Sequence, residues 1–367
     1  MSRAPRPAQS EAGPRRRSRS DLPGVVIKPT IRAVAEQAEV AISTVSRVVN
    51  GGRVSAGVKR RVQRVIDELG YSPSVAARSL VHRRTGCIGL AVNSTQSPWF
   101  SQILGGIEEA LSSSKKSVLL ASMMLDGSYD PTAVLGWLTE TRVDGLILVR
   151  YARQNRPLLD AAAKAGIPVV LLAPDLSAPA DFMVRCDNVN AGWLVAQHLH
   201  RLGHRHVAFA GGPKESLDSR QRLQGLEEGL LEHGVALTPE RTWFGPAYAR
   251  ESGMQYASIF LALAPQDRPT AVVLGNDPMA IGFMRTVLSA GVRVPADVSV
   301  VGFDGTPDGE QIWPGLTTVI QPTRRMAIAV CQALLDSVEH RQPDRSTSVE
   351  FAVELLVRES TAAPRSR

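Results

Sequence analysis

The segment VAISTVSRVVNGG, residues 40–52, has an apolar spacing that decides how the first part of the chain folds. At 100° per residue, Val45, Val48 and Val49 group on one face of a helical wheel. The opposite face carries the polar residues Ser43, Ser46, Arg47 and Asn50. The spacing therefore predicts a helix that docks through its valines and presents the polar set outward. An ordinary amphipathic helix with a solvated face would produce the same wheel.

The flanking sequence predicts two further helices. Thr30 offers a hydroxyl to cap a helix that ends before a break at residues 39–41. A third helix is expected over residues 55–69, with Gly70 as its stop. The inward positions of these two helices are Ile31, Val34, Ala35, Ala38, Val58, Val62, Val65, Ile66 and Leu69. Two short helices joined by a three-residue turn predict a helix-turn-helix, whose second helix enters the major groove of DNA.

Side chains on the second helix suit that task. Arg47 is the natural base reader, because a guanidinium contacts O6 and N7 of guanine together. The short hydroxyl side chains of Thr44 and Ser46 suit contacts with phosphates at the rim of the groove.

Charge is distributed unevenly along the chain. Residues 1–28 carry a net charge of +5 and residues 29–84 carry +6, whereas residues 85–367 carry −4. This asymmetry is typical of a protein whose N-terminal end meets a polyanion such as DNA. Residues 1–28 have Pro, Ser and Arg but no periodicity, so we expect a disordered basic tail there. A solvated tail without a partner would account for that segment as well.

Residues 30–80 resemble the N-terminal domain of the LacI/GalR family of bacterial transcriptional repressors. The matching stretches are Val34-Ala35, STVSRVVN at 43–50, Val54-Ser55, Leu69-Gly70-Tyr71, Pro73 and ARSL at 77–80. The resemblance implies a helix-turn-helix domain over residues 29–73, followed by a hinge helix and linker over residues 74–84.

The same resemblance implies roles for individual residues. Base-reading positions correspond to Ile42, Ser43 and Arg47, and backbone-contacting positions correspond to Thr30, Thr44, Ser46, Asn50 and Ser55. In the hinge, Ala76 and Leu80 match minor-groove positions, and Leu80 would unstack a base step and bend the duplex. Leu80 as a packing residue in a linker is the alternative.

Three residues of the head depart from the family pattern. Ala33 replaces an acidic residue, Glu39 replaces the turn glycine, and Ala41 replaces the serine that caps the recognition helix. Loss of a cap costs about 1 kcal/mol, and a non-glycine residue with positive φ adds a similar cost of about 1 kcal/mol. We expect a softened motif that keeps its reading face.

From Gly86 onward, short apolar runs alternate with amphipathic stretches. The runs CIGLAVN, SVLLAS, DGLILV, PVVLL, HVAFAG, TAVVLG and VSVVGF predict buried parallel strands. The predicted fold is therefore multidomain, with a small all-α head followed by an α/β domain over residues 85–360 and a disordered tail at 361–367. Ligands of such sheets bind beyond the carboxyl ends of the strands.

The α/β part resembles the periplasmic-binding-protein-like core of the same repressors, in which two lobes close over a small molecule. The stretches DNVNAGWLVAQHLHRLGHRHVAFAGG at 187–212, RLQGLEEGL at 222–230 and GNDPMAIGFMRTVLSAGVRVPADVSVVGFD at 275–304 carry this resemblance. It assigns effector contacts to Arg222, Asn276 and Asp304, whose donor fork, amide and carboxylate suit vicinal hydroxyls. It also places Trp99 and Phe100 against the ligand.

Other interpretations of these effector residues stay open. Arg222 as a surface salt bridge and the two aromatics as core packing are the alternatives, and the crossover residues Asp187 and Asn188 are structural or ligand-facing. The family often has an acidic residue or asparagine where this chain has Ala173 and Pro174. One hydroxyl partner is then missing, because the register of Asp175 does not allow it to be assigned as a replacement, and the effector is unusual or absent.

Several other classes of protein are disfavoured. An exported sugar-binding protein would need a signal peptide, and a Rossmann oxidoreductase would need G-x-G-x-x-G where this chain has AGGPKES at 210–216. The three cysteines have neither disulfide nor zinc spacing, and no apolar run reaches the roughly 18–20 residues that span a bilayer. We expect no metal at the histidine cluster, which comprises His198, His200, His204 and His206.

The sequence thus predicts a cytoplasmic, homodimeric transcriptional regulator, and we expect a repressor that binds a pseudo-palindromic DNA operator. A single short recognition helix reads too few bases to be specific alone, which favours two-fold symmetry. The expected effector is a sugar or related polyol, with a nucleoside as the alternative. No enzymatic activity, cofactor, metal or membrane association is expected.

Overall fold

The computed structural model divides into two compact units, of which the first ends at residue 83 and the second begins at residue 84. The described residues are 29–71, 84–114, 116–125, 128–150, 153–175, 180, 182–340 and 347–365. The expected basic tail at 1–28 lies outside them. So do Ala76 and Leu80 of the expected hinge.

The first unit is the predicted bundle of three helices. The helices are α1 (Ile31–Gln37), α2 (Ile42–Val49) and α3 (Ala56–Leu69). Thr30 caps α1 and Ser55 caps α3, since each side chain accepts a hydrogen bond from a backbone N–H of the first turn. Gly70 ends α3 with φ of +61°. The buried core consists of Val34, Ala35, Ala38, Val45, Val48, Val62, Val65 and Tyr71.

The second unit contains two lobes, each built on a six-stranded sheet. In lobe 1 the strand order is β13-β7-β6-β5-β1-β2, and all neighbouring strands are parallel. Its strands are β1 (Cys87–Val92), β2 (Ser117–Ser122), β5 (Gly145–Val149), β6 (Val169–Leu172), β7 (Phe182–Cys186) and β13 (Thr347–Phe351). After β2, the chain forms a small separate hairpin of β3 (Met124–Leu125) and β4 (Ser128–Tyr129).

Helices cover both faces of the lobe 1 sheet. Packing on one face involves α4 (Pro98–Leu111) and α12 (Thr323–His340), and packing on the other involves α5 (Thr132–Thr139) and α6 (Arg156–Ala165). Because both faces are covered, the strands are almost continuously apolar, as the sequence predicts.

Lobe 2 repeats this arrangement with the order β14-β12-β11-β10-β8-β9, in which only β14 is antiparallel to its neighbour. Its strands are β8 (Val207–Gly211), β9 (Thr242–Phe244), β10 (Ala271–Leu274), β11 (Ser299–Asp304), β12 (Thr317–Ile320) and β14 (Glu354–Leu356). Its helices are α7 (Asn188–Arg201), α8 (Leu217–Leu231), α9 (Arg250–Ala262), α10 (Asp277–Ser289) and α11 (Pro307–Gln311). The predicted α/β architecture is confirmed.

The chain passes between the lobes three times. These crossovers lie between β7 and α7, between β12 and α12, and between β13 and β14. The backbone N–H of Asp187 donates to the carbonyl of Phe351 over 3.0 Å, which joins the first crossover to the third. The carboxyl ends of the strands therefore face a cleft, and the three crossovers form one side of this cleft.

The C-terminal segment differs from the expected tail. Thr361 hydrogen-bonds His198, while Ala362 accepts from His204 over 2.9 Å and donates to Ser299 over 3.1 Å. Residues 361 and 362 therefore belong to the folded unit. Sequence could not indicate this, because the anchoring histidines lie about 160 residues earlier in the chain.

The histidine cluster has structural contacts. His198 and His204 are buried and hydrogen-bonded to hydroxyl or carbonyl groups. His200 stacks on His233 with ring centroids 3.6 Å apart. Within the described ranges, no group of three His, Cys, Asp or Glu side chains is placed to share a metal ion. Nor does any helix in those ranges have the length and apolarity to span a membrane.

Candidate functional site

Helix α2 exposes the residues that the sequence assigned to base reading. Val45 and Val48 are buried, whereas Ser43 and Arg47 are exposed and Ile42 is 44% exposed. This division is what the wheel predicts. Ile42 at the start of α2 is an exposed apolar side chain, and it offers a contact for a thymine methyl.

The expected backbone-contacting residues lie around that face. Thr44, Ser46 and Asn50 are half-buried, and the Asn50 amide donates to the Ser46 hydroxyl over 3.3 Å. Thr30 and Ser55 are exposed, and each uses its oxygen as an acceptor for a helix cap. A capping hydroxyl still has its own hydrogen, so both side chains keep a donor for a phosphate.

The two departures in the turn have the expected local consequences. Glu39 has φ of +49°, in the left-handed region that favours glycine. Ala41 occupies the N-cap of α2 and supplies no side-chain hydrogen bond. The start of the recognition helix thus lacks the stabilisation of about 1 kcal/mol that a serine cap contributes.

The second candidate site is a cavity of about 1220 Å³ in the interlobe cleft. All five residues assigned to effector contact line it, namely Trp99, Phe100, Arg222, Asn276 and Asp304. Lobe 1 provides the two aromatics at the start of α4, and lobe 2 provides the three polar residues at strand ends and on α8. The structure therefore brings together side chains that are separated by up to about 200 residues in sequence.

Arg222 is buried and held in one orientation. Its Nε donates to Asn188 Oδ1 over 2.9 Å, and its Nη1 donates to the carbonyl of Gly275 over 2.6 Å. The guanidinium also lies against the Phe303 ring, 3.5 Å from its centroid. Nη2 is 3.9 Å from Asp218 Oδ2, too far for a hydrogen bond, so this end of the guanidinium stays available to a ligand.

Asn276 and Asp304 complete the lobe 2 wall. Asn276 caps α10 through its oxygen and donates through Nδ2 to the carbonyl of Tyr248. Asp304 accepts from Gln321 Nε2 over 2.7 Å and has φ of +110°. Burial raises the pKa of the Asp304 carboxyl to about 7, against the opposing effect of Arg222. A carboxyl near its midpoint at neutral pH can both donate and accept a hydrogen bond.

The two aromatics have different environments. Phe100 is buried in the main core, which supports the packing role that the sequence left open for it. Trp99 is half-buried, and its Nε1 is sealed from water without a hydrogen-bond partner among the described residues. The neighbouring Asn93 Oδ1 is in the same situation. Lobe 1 therefore has one donor and one acceptor unpaired in the wall of the cavity.

Sequence reasoning missed a polar cluster at the same cavity. Arg150 reaches from lobe 1 to lobe 2, where its Nη1 donates to Asp218 Oδ2 over 2.7 Å and its Nη2 donates to Ser216 over 3.1 Å. The Tyr248 hydroxyl hydrogen-bonds Ser216 over 3.1 Å.

Asp175 belongs to the same cluster. It accepts a hydrogen bond from Arg150 over 3.1 Å, so it does reach the cleft, although Ala173 and Pro174 precede it. Arg150 and Asp175 each follow a predicted strand, and this position in the sequence could have identified them as residues that face the cleft.

The crossover residues have distinct roles. Asp187 caps α7 by accepting from the backbone of Asn190, which is a structural contact. Asn188 lies behind the cleft, where it accepts from Arg222 and donates to Asp218 over 3.0 Å. It therefore connects the expected effector residue to the cluster that contains Arg150.

Comparison with known proteins identifies both parts of the chain. Residues 30–74 match the model of bacterial regulatory proteins of the lacI family, and residues 196–361 match a periplasmic binding protein-like domain. The transcriptional regulator CelR of Thermobifida fusca is 34% identical over 343 residues, which is 91% of this chain and 98% of CelR.

Solved structures show the same relationship. A CelR–cellobiose complex aligns with a TM-score of 0.68 at 31% identity, over 90% of this chain and 99% of that one. The lac repressor dimer bound to operator and the anti-inducer ONPF aligns with a TM-score of 0.78 at 29% identity, over 92% and 100%. With a helix-turn-helix head, a two-lobed α/β domain and relatives matched over nearly their whole length, the chain belongs to the lacI family of bacterial transcriptional regulators.

Proposed function

We propose that this regulator is a homodimeric repressor of a pseudo-palindromic operator, and that a small molecule bound in the cleft controls its affinity for DNA. The observation that carries the proposal is the exposed face of α2, where Ile42, Ser43 and Arg47 project from a helix whose valines are buried. The similarity to a lac repressor dimer on its operator supports the same reading.

In this proposal the head divides its contacts into two classes. Ile42, Ser43 and Arg47 read base edges, with Arg47 as a donor fork for guanine. Phosphates are contacted by Thr30, Thr44, Ser46, Asn50 and Ser55. Ala76 and Leu80 of the hinge act in the minor groove, a role that rests on the family resemblance alone. Phosphate contacts set the register, and base contacts provide the specificity.

The dimer is supported by an apolar groove on lobe 2. Trp313 is 82% exposed beside a groove of about 450 Å³ that Ile281, Met284, Leu288 and Ile312 also line. Leaving a tryptophan in water is unfavourable, and tryptophan is prominent among the residues that dominate interface energy. We assign this groove to the contact between two copies of the chain.

The effector is proposed to be a sugar or related polyol. Arg222 Nη2, the Asp304 carboxyl and the Asn276 amide offer hydrogen-bond donors and acceptors for hydroxyl groups in one cavity. Trp99 and Asn93 provide a further donor and acceptor that gain a partner if the wall moves to admit a ligand hydroxyl. The CelR–cellobiose complex supports a carbohydrate ligand for this fold.

The cleft is assigned a regulatory role and no catalytic step. The proposal includes no catalytic residue, cofactor or metal. Binding to a chromosomal operator places its action in the bacterial cytoplasm. A ligand that favours one state by about 5.5 kcal/mol would shift a 1:99 population to 99:1.

The test is selection of bound sequences from a random duplex pool with the full chain at physiological salt. The selection is repeated with a panel of sugars, polyols and nucleosides. We expect a palindrome of roughly 14–20 bp with a central pyrimidine–purine step, and one compound that changes its enrichment. Binding that depends on salt alone, with no enriched sequence, would contradict the proposal. A nucleoside as the active compound would replace the carbohydrate.

A further inference from the structure

Arg150 makes an ion pair across the cleft. The residue directly follows β5 of lobe 1, whereas Asp218 lies in the first turn of α8 of lobe 2. The Arg150 Nη1 to Asp218 Oδ2 distance is 2.7 Å, and Ser216 of lobe 2 accepts from Nη2. The guanidinium also lies 5.1 Å from the centroid of the Tyr248 ring, in the range of a cation–π contact. Three residues of lobe 2 therefore hold one side chain of lobe 1.

Each ion of this pair also has an opposite charge in its own lobe. Arg150 contacts Asp175 over 3.1 Å. Asp218 accepts from Asn188 and lies 3.9 Å from Arg222. Removing the partner of a buried ion is strongly destabilising when the ion is left without compensation. Here, separation of the lobes leaves neither ion alone, so the interlobe contact is able to break and re-form.

Both groups stay charged throughout the ordinary pH range. Burial lowers the pKa of Arg150, but Asp218 and Asp175 more than offset this, and the net pKa is raised. Burial raises the pKa of Asp218, but Arg150 and Arg222 more than offset this, and the net pKa is lowered. The strength of the contact therefore does not depend on a titration near pH 7.

The backbone at Arg150 is strained in the geometry that makes the contact. Its φ of +57° lies in the left-handed region, which a residue with a Cβ rarely adopts. Its N–H donates to the carbonyl of Leu172 at the end of β6, which fixes this turn to the neighbouring strand. Strain of this kind persists where the surrounding contacts compensate for it. Here those contacts lie in both lobes, with Leu172 and Asp175 in lobe 1 and Asp218 in lobe 2.

We infer that Arg150 is an interlobe latch, a positioning residue that holds the two lobes together across the cleft. An effector that alters the distance between the lobes must then break or keep this contact. The inference deepens the proposed function because it concerns regulation at the same cleft. The distance between the lobes is measured without DNA, so its result can fail independently of the operator prediction.

The experiment measures the distance between the lobes in the full chain without ligand. Spin labels are attached at Gln96→Cys in lobe 1 and Glu251→Cys in lobe 2, both exposed residues at the cavity. The half-buried Cys87 is replaced by serine, and unlabelled chain is added in excess to suppress distances between subunits. Cys186 and Cys331 are buried and stay in place.

Arg150→Gln is expected to increase the population at longer distances by roughly tenfold, since it removes one member of a partly buried ion pair. The matched control is Arg220→Gln. Arg220 lines the same cavity but donates to the backbone carbonyls of Lys214 and Glu215 within its own lobe. The control is expected to keep the parent distribution.

A second variant keeps the inference testable if one substitution affects folding. Asp218→Asn is expected to give part of the opening, because Arg150 keeps its contacts with Ser216 and Tyr248. The effect of the two substitutions together should be smaller than the sum of their separate effects, because both act on one ion pair. The inference is overturned if Arg150→Gln matches Arg220→Gln, or if the two substitutions add. Selection of operator sequences by the Arg150→Gln variant tests the proposed function independently, because the reading helix is unchanged.

Discussion

The central carbon of the Arg222 guanidinium lies 3.5 Å from the centroid of the Phe303 ring. Phe303 is the penultimate residue of β11 and is buried, so the ring is fixed by the sheet. Asn188 and the carbonyl of Gly275 hold two other edges of the guanidinium. Arg222 is therefore presented to the cavity in a single orientation and loses little further freedom when a ligand binds.

Arg222→Ala is expected to abolish the response to the effector and to leave operator selection unchanged, because α2, the helix proposed to read bases, belongs to the other unit. The measurement is operator affinity with and without the compound found in the selection. Arg220→Ala is the matched control, since it removes an exposed arginine from the same cavity. A normal response in the Arg222 variant would refute the assignment of this residue to effector binding.

Arg47→Ala is expected to weaken binding to the selected operator by about 1–3 kcal/mol and to relax discrimination at one base pair. The reason is the loss of a bidentate contact with one guanine. Affinities for all single-base variants of the operator provide the measurement. Arg64→Ala on α3 is the control, because Arg64 is exposed and basic but lies outside the reading helix. Equal losses on every sequence would mean that Arg47 contacts only phosphate.

Because Asp304 is buried, we expect the folding stability of the chain to fall as the pH rises. Burial raises its pKa to about 7 in the folded chain, above the ordinary value of 3.8, so the folded state binds the extra proton between these values. The stabilisation is complete below about pH 4 and is lost as the pH rises through 7, with a size on the order of 2–4 kcal/mol.

Asp304→Asn should remove this component, because the amide stays neutral and its oxygen still accepts from Gln321. The measurement is the free energy of unfolding from denaturant titrations at pH 5 and pH 8. The variant is expected to lose less stability than the parent across this interval. The free energy of unfolding of the variant should still depend on pH to some extent, since burial also raises the pKa of Asp277 to about 6. If the free energy of unfolding changed equally with pH in variant and parent, Asp304 would ionise as a solvated carboxyl does.

Trp313→Ala is expected to weaken the dimer at least tenfold, since a large aromatic side chain leaves the proposed contact between copies. Sedimentation equilibrium over a range of concentrations measures the dissociation constant. Leu231→Ala is the control, because Leu231 is 66% exposed on α8 and lies outside the groove of Trp313. If both variants dimerise as the parent does, the groove is not the dimer contact.

Much of the head could be predicted from the sequence. Helices α1 and α3 begin and end within about a residue of the predicted positions, since Thr30, Ser55 and Gly70 act locally as caps. The wheel of α2 separates buried valines from exposed polar residues as predicted, because helical geometry maps sequence spacing directly onto faces. The uncapped Ala41 and the positive φ of Glu39 were also visible as departures from the family pattern.

The cleft was predicted less completely. Arg222, Asn276 and Asp304, which the family resemblance assigned to effector contact, line one cavity in the structure. Their contact with an effector stays a prediction. The partners of Arg150 were not predicted, because Asp218 is 68 residues away in the chain and belongs to the other lobe. The anchoring of Thr361 and Ala362 by His198 and His204 was missed for the same reason.

The sequence by itself determined the elements, their order and the faces that they bury, since periodicity and capping act between residues only a few positions apart. Tertiary structure alone decided which charges meet. The pairing of Arg150 with Asp218 arises only where the two lobes meet, and the raised pKa of Asp304 arises from its burial. One depends on a distance across the cleft and the other on solvent exclusion, and neither quantity is a property of a local stretch of chain.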